Sequence, residues 1–327
     1  MNRTFSLTAL VWTLAAAYAL LGDNVHAARR PVTPQASGYE SIASLGGRYG
    51  FPPPSVGIKS ITLKSKYTTM VFSQNSRKLQ LNGMLIWLNG PVVKNGGKWS
   101  ITKADAEKTI DPLLRSANAP ASRGSFTVVL DPGHGGNDTG AVGRRKVYEK
   151  KVVLDISKRI RKKLTASGVV VKLTREDDSF LSLSARPAIA KRLGADVFVS
   201  IHVNSAHNSS ASGIETFVLP LAGFPSTAGN NNSRAYPGNK HDEANTLLGY
   251  YVQKQLLERT ESTDRGVGRA RFDVLRDAPC PSILVECGFV SNKREEEKML
   301  TAEYRDNMAE GIAKGILAYI RQVAPAK

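Results

Sequence analysis

Near residue 125 the hydrophobic period of the chain changes, and the second period leaves few folds open. Beyond that point short apolar runs at 126–130, 169–173, 196–201, 214–219 and 282–285 alternate with longer stretches at 152–164, 183–193, 243–257 and 304–323. The short runs suit strands, and the apolar residues of the longer stretches recur at helical spacing. Strands that alternate with helices are joined by crossovers, which lay helices over the faces of the sheet. The expected fold class over residues 126–327 is therefore α/β, a twisted, mostly parallel sheet flanked by helices. Sheets of this kind place their ligand sites at the carboxyl ends of strands.

Residues 39–115 read differently. Alternating segments at 58–63, 69–72, 78–81 and 84–88 are separated by turn residues such as Asn82 and Gly83, which implies a small β-rich domain. Residues 28–38 and 116–125 lack apolar periodicity and are rich in turn formers, so both are expected to be linkers. Residues 1–27 have the three parts of a secretory signal peptide: Arg3 in a basic start, an apolar run at 5–21, and small residues Val25 and Ala27 before a cut. Cleavage would leave no transmembrane segment and place the mature chain in the periplasm or cell envelope. A retained anchor is the alternative, since the run is only slightly shorter than the roughly 20 apolar residues that span a bilayer.

The formal net charge of +17 points to an anionic partner or surface. No finger motif, basic helix or aromatic RNA-binding signature accompanies it, so nucleic acid is not expected. An anionic envelope polymer bound through a basic surface is one reading, and a solvated surface that aids solubility is the other. Lys59, Lys64, Lys66, Arg77, Lys78, Lys94 and Lys98 suggest wall or partner binding by the small domain, against a plain structural appendage. Cys280 and Cys287 are the only cysteines and fall in one strand segment. An extended chain of that length spans roughly 23 Å, so they are not expected to pair.

Four residues carry metal-compatible chemistry. His134 follows a strand in the glycine-rich turn "VVLDPGHGGNDTGAVG", which lacks the Gly-Lys-Ser/Thr ending of a phosphate loop. Glu149 leads Val153, Ile156, Ile160 and Leu164 on one helix face, so it begins a buried stripe where a charge needs a partner. His202 ends the strand "ADVFVSIHVN", and Glu286 closes the strand that begins "PSILV". Two imidazoles and one carboxylate are what a catalytic zinc site takes from protein, and a further carboxylate can act as base. By strand alternation Leu284 and Glu286 face one way, and Val285 and Cys287 the other, which disfavours a cysteine nucleophile. Asn292 with Glu295 three positions on reads as a capping box.

The stretches "LDPGHGGNDTGAVG", "YEKKVVLDISKRI", "LTREDD", "ADVFVSIHVNSA", "SGIETFVLP" and "DRGVGRARFDVLRDAPCPSILVECGFVSN" together resemble the zinc-dependent N-acetylmuramoyl-L-alanine amidases of bacterial cell walls. The resemblance runs from about residue 127 to the final helix. It implies one Zn²⁺ ligated by His134, Glu149 and His202, and Glu286 as the catalytic base. It also implies peptidoglycan as substrate, cut between the lactyl group of N-acetylmuramic acid and L-alanine. The segment "RRKVYEKK" lacks a glycine often found there, and Cys287 stands where threonine is common. The run "LQLNGMLIWLNGPVVKNGGKWSITKAD" is similar to a small β-rich domain resembling the amino-terminal domain of copper amine oxidases; with no histidine or cysteine it recommends no copper site.

Asp131, His207, His241 and Arg271 are secondary candidates for orienting ligands or binding substrate. Residues 220–240, dominated by Gly, Asn, Ser and Pro, are expected to form a mobile loop near the site. Inserts in the family block the metal with a helix, and the lack of helical periodicity here implies none. A catalytically silent wall-binding protein, a zinc peptidase acting on stem peptides and a nucleic-acid binder remain as alternatives.

Overall fold

The computed structural model describes residues 38–115, 126–227 and 234–323. The expected signal peptide, all of the first linker but Gly38, and the whole of the second linker lie outside the described residues. The small segment holds β1 (Tyr39–Ser41), α1 (Ile42–Arg48), β2 (Ser55–Val56), β3 (Ser60–Lys64), β4 (Thr69–Ser73), β5 (Lys78–Leu81), β6 (Met84–Trp87), β7 (Val93–Asn95) and β8 (Lys98–Thr102). Helical turns at 103–114 follow. The second segment contributes β9 (Thr127–Pro132), α2 (Glu149–Ala166), β10 (Val170–Leu173), α3 (Ala185–Arg192), β11 (Val197–Asn204), β12 (Ile214–Val218), α4 (Asp242–Thr260), β13 (Asp264–Arg269), β14 (Ser282–Phe289), α5 (Lys293–Met299) and α6 (Ala302–Val323).

The sheet order is β10-β9-β11-β14-β12-β13-β6-β5-β4-β3-β2, and β1-β8-β7 form a separate three-stranded sheet. β10, β9, β11 and β14 are parallel, β12 runs antiparallel to β14, and β13 is parallel to β12. Alternation sorts the strand side chains onto two faces. Val128, Leu130, Val199, Ile201, Val285 and Cys287 pack with Val153 and Ile156 of α2, Val252 of α4 and Ile312 of α6. Val129, Phe198, Phe217 and Leu284 pack on the other face with Ala190 of α3, Val274 and Leu275. Cys280 belongs to that second cluster, and both cysteines are buried free thiols.

Three expectations change. β13 escaped notice because "DRGVGR" has two glycines and three charged residues, and so shows no apolar alternation. β11 and β14 run on together to Asn204 and Phe289, which puts His202 and Glu286 inside paired strands rather than at their ends. Asn292 caps α5 through Arg294 N and Glu295 N, but Glu295 does not complete a capping box. Its carboxylate instead accepts from Gly213 N and Phe289 N, both at 2.8 Å or less, and so ties the start of β12 to the end of β14.

Residues 39–115 join the larger sheet directly. β6 pairs in parallel with β13 at Val267 and Ile86, and Leu85 N donates to Asp264 Oδ2 at 2.7 Å. Beneath that seam Arg269, 1% exposed, donates to Trp87 O, Thr246 Oγ1 and Thr109 Oγ1. Replacing Arg269 by Met orphans buried acceptors, each worth about 1–3 kcal/mol. Trp87 and Trp99, the described tryptophans, report on residues 39–115, whereas far-ultraviolet circular dichroism reports on the whole chain. Both signals should be lost at one urea concentration, and Arg269→Met should lower that concentration for both. Separate transitions would show that the two segments fold independently.

Candidate functional site

β9 delivers the chain to a turn in which His134 adopts φ +60°, a left-handed conformation uncommon for a residue with a side chain. Arg186 holds the turn from below: its Nη2 donates to His134 O at 3.0 Å and its Nη1 to Pro132 O at 2.8 Å. Glycine is required at Gly133, where a Cβ would lie 2.4 Å from the His202 ring, and at Gly140, where one would lie 2.6 Å from Glu149 Oε2.

Glu149 opens α2 and is buried, as its place on the apolar stripe implied. Its Oε2 accepts from Ala141 N at 2.8 Å and its Oε1 from Val203 N at 2.9 Å. His202 Nδ1 lies 3.0 Å and His134 Nε2 3.2 Å from the same Oε1. The three ligand atoms all fall within 4.8 Å of one another. With metal–ligand bonds of about 2.0–2.1 Å, tetrahedral neighbours sit about 3.3 Å apart, so this donor set fits a zinc-sized ion.

Electrostatics mark the same cluster. Burial opposes charge on both Glu149 and His134, but their mutual attraction outweighs it. The two histidines hold the Glu149 carboxyl well below the usual carboxylate range, and Glu149 with Asp138 pushes His134 up to about 10. A proton on His134 thus balances the carboxylate, as a cation at this position would.

Glu286 pairs in register with His202 on one side and with Glu215 on the other. Its Oε2 is buried with no hydrogen-bond partner among the described residues. Burial, and then the carboxylates of Glu149 and Glu215, push its pKa well above the usual range. Glu215 is likewise raised to about 7 by burial, against the pull of Arg265, whose Nε lies 3.5 Å from Glu215 Oε2.

The secondary candidates fare differently. Asp131 is fully buried and accepts from Thr174 Oγ1, Ser200 Oγ and Arg186 Nη1, so it anchors the strand end rather than a ligating ring. The carboxylate that orients His134 is Asp138, whose Oδ2 accepts from Nδ1 at 2.8 Å. His207 is exposed on the loop after β11, and no hydrogen bond or ion pair joins it to His134, Glu149 or His202.

His241 and Arg271 lie at the opposite edge of the sheet, because β12 runs antiparallel to β14 and carries the chain away from the metal-compatible cluster. His241 Nε2 donates to Pro279 O at 3.1 Å, and Arg271 donates to Ser226 Oγ and Phe224 O. The described part of 220–240 lies at that edge too, held by Arg77 through Pro225 O and Ser226 O, and not near the site as expected. Among its described residues the helical structure is a 3-10 turn at Pro237–His241.

Sequence reasoning passed over Asp138, Glu215, Arg186 and Arg265. An acidic residue inside the apolar run "GIETFV" was the available signal for Glu215. If the cluster holds a metal ion, Asp138→Asn should weaken its affinity about 10- to 100-fold, the usual cost of losing a partner behind a ligating histidine. Competition against a chelator measures this, and unchanged affinity would remove Asp138 from the site.

Known proteins share this arrangement of chain. A family model described as N-acetylmuramoyl-L-alanine amidase matches residues 128–318. The N-acetylmuramoyl-L-alanine amidase AmiA of Escherichia coli K12 is 35% identical over 240 residues, which are 64% of this chain and 83% of that protein. The solved N-acetylmuramoyl-L-alanine amidase from Clostridium difficile 630 is 36% identical, with a TM-score of 0.53 over 61% of this chain and 98% of that one. The solved catalytic domain of CwlV from Bacillus (Paenibacillus) polymyxa is 35% identical, with a TM-score of 0.52 over 60% of this chain and 98% of that one.

Proposed function

This chain belongs to the N-acetylmuramoyl-L-alanine amidase family, and we propose from that premise that His134, Glu149 and His202 hold a zinc ion while Glu286 serves as the base. The reaction is hydrolysis of the amide between N-acetylmuramic acid and L-alanine in peptidoglycan. The observation that carries the residue roles is the three-donor cluster with an unpartnered buried carboxylate oxygen one strand away.

Zinc bound there would supply Lewis acidity, lowering the pKa of water toward about 7 and polarising the scissile carbonyl. Glu286 takes the proton from the attacking water and passes it to the alanine nitrogen as that bond breaks. The register of β11 and β14 keeps Glu286 beside His202. Asp138 fixes the imidazole of His134 through Nδ1, and Arg186 fixes its backbone.

The proposal includes export by residues 1–27 to the periplasm or cell envelope, where the polymer lies. It also includes contact between the basic surface of 39–115 and an anionic envelope polymer, which should weaken steeply as salt rises. No helix among the described residues is long and apolar enough to cross a membrane. Metal analysis tests the centre: about one zinc per chain, with activity lost on chelation and restored by zinc. Full activity in chelated, metal-free protein would sink it. Because the described part of 220–240 lies at the far edge, limited proteolysis within 220–240 should leave activity unchanged, and strong activation on cleavage would show that the segment covers the site.

A further inference from the structure

Across the sheet the site residues form a row: His134 beyond β9, His202 on β11, Glu286 on β14, Glu215 on β12 and Arg265 on β13. Glu215 pairs directly with Glu286, and side chains of directly opposed residues stand on one face. Glu215 therefore continues the row past the base, and Arg265, in the irregularity between the Asp264 and Val267 pairs, extends it by setting its Nε 3.5 Å from Glu215 Oε2.

Arg265 ends the row as an accessible cation. Its side chain is 41% exposed, against 11% for Glu215. The Nε faces Glu215, and the guanidinium stacks over the Phe289 ring at 4.9 Å. Among the described residues neither terminal nitrogen donates to the protein. One edge of the guanidinium is thus anchored while its terminal nitrogens, a fork that suits a carboxylate, are left for a ligand.

Resting on the amidase mechanism above, we infer that Arg265 binds a carboxylate of the stem peptide and so positions the leaving half of the substrate. The direction follows from proton delivery. The scissile carbonyl belongs at the His134, Glu149 and His202 cluster, and the nitrogen that receives the proton belongs at Glu286. The peptide then leaves the site across β12 toward β13, while the glycan lies on the other side. Two strand steps cover about 9.6 Å, and extended peptide rises about 3.3 Å per residue. The carboxylate therefore sits within roughly the first three residues of the stem.

Full-length wild type, Arg265→Gln and Arg265→Lys are to be compared on a soluble muramyl peptide with free peptide carboxylates and on the same compound with those carboxylates amidated. Amidation should raise the wild-type KM about 10- to 100-fold, the range for a charged hydrogen bond. Arg265→Gln should raise KM to the same extent on the free substrate, with kcat and zinc content little changed, and should be no worse than wild type on the amidated one. Arg265→Lys should fall between. If amidation leaves the wild-type KM unchanged, or if Arg265→Gln impairs both substrates equally, Arg265 only supports Glu215 and the inference is overturned. The wild-type comparison needs no variant to fold. Wild type that cuts neither compound would overturn the amidase mechanism itself, a distinct outcome.

Discussion

Glu286→Gln should keep its fold and its zinc while losing roughly 10²- to 10⁴-fold in kcat, the usual span for a general base. Glutamine preserves the shape of a side chain lodged between His202 and Glu215 and removes only the ability to accept a proton. The loss should fall on kcat, since the side chain acts on the transferred proton rather than on ground-state binding. Metal analysis and thermal unfolding on the same preparation separate this outcome from misfolding. Near-full activity in Glu286→Gln would mean that another group takes the proton.

Loss of a ligand should be more severe. His134→Ala or His202→Ala leaves two donors where three are needed, so zinc and hydrolysis should be lost together. The two variants should differ in their side effects. The two side chains are exposed to the same extent, 18% and 19%, but His134 stands on a turn, whereas His202 packs over Gly133 from within a paired strand. His202→Ala therefore adds a packing defect, and its unfolding midpoint should drop further than that of His134→Ala. Retention of one firmly bound zinc in either variant would contradict the ligand assignment.

The cluster was legible because metal binding demands particular donors and because Glu149 sits on a helix stripe that is otherwise apolar. Such a residue is marked by its neighbours in sequence. The α/β class was legible for the same reason, since period 2 and period 3.6 are local signals.

What stayed hidden depended on pairings between distant residues. Nothing within Ile214–Val218 states that this strand opposes β14, yet that one direction moves His241, Arg271 and the described part of 220–240 to the far edge. The Val267 and Ile86 pair that merges both segments into one sheet spans the chain in the same way. Asp131, a candidate for orienting a ligand because a ligating histidine usually donates its other ring nitrogen to a carboxylate, points instead from the strand into Arg186, Thr174 and Ser200. Asp138, four residues beyond the histidine, reaches the ring because the turn doubles back through Gly135 and Gly136, both at positive φ.

Mass spectrometry of the products released from purified sacculi addresses the central claim most directly. The zinc-loaded protein should release intact stem peptides with a free L-alanine amino terminus and leave glycan strands bearing unsubstituted lactyl groups, and Glu286→Gln should release neither. Fragments cut between two amino acids of the stem, with the lactyl amide intact, would contradict the amidase assignment and make the protein a zinc peptidase.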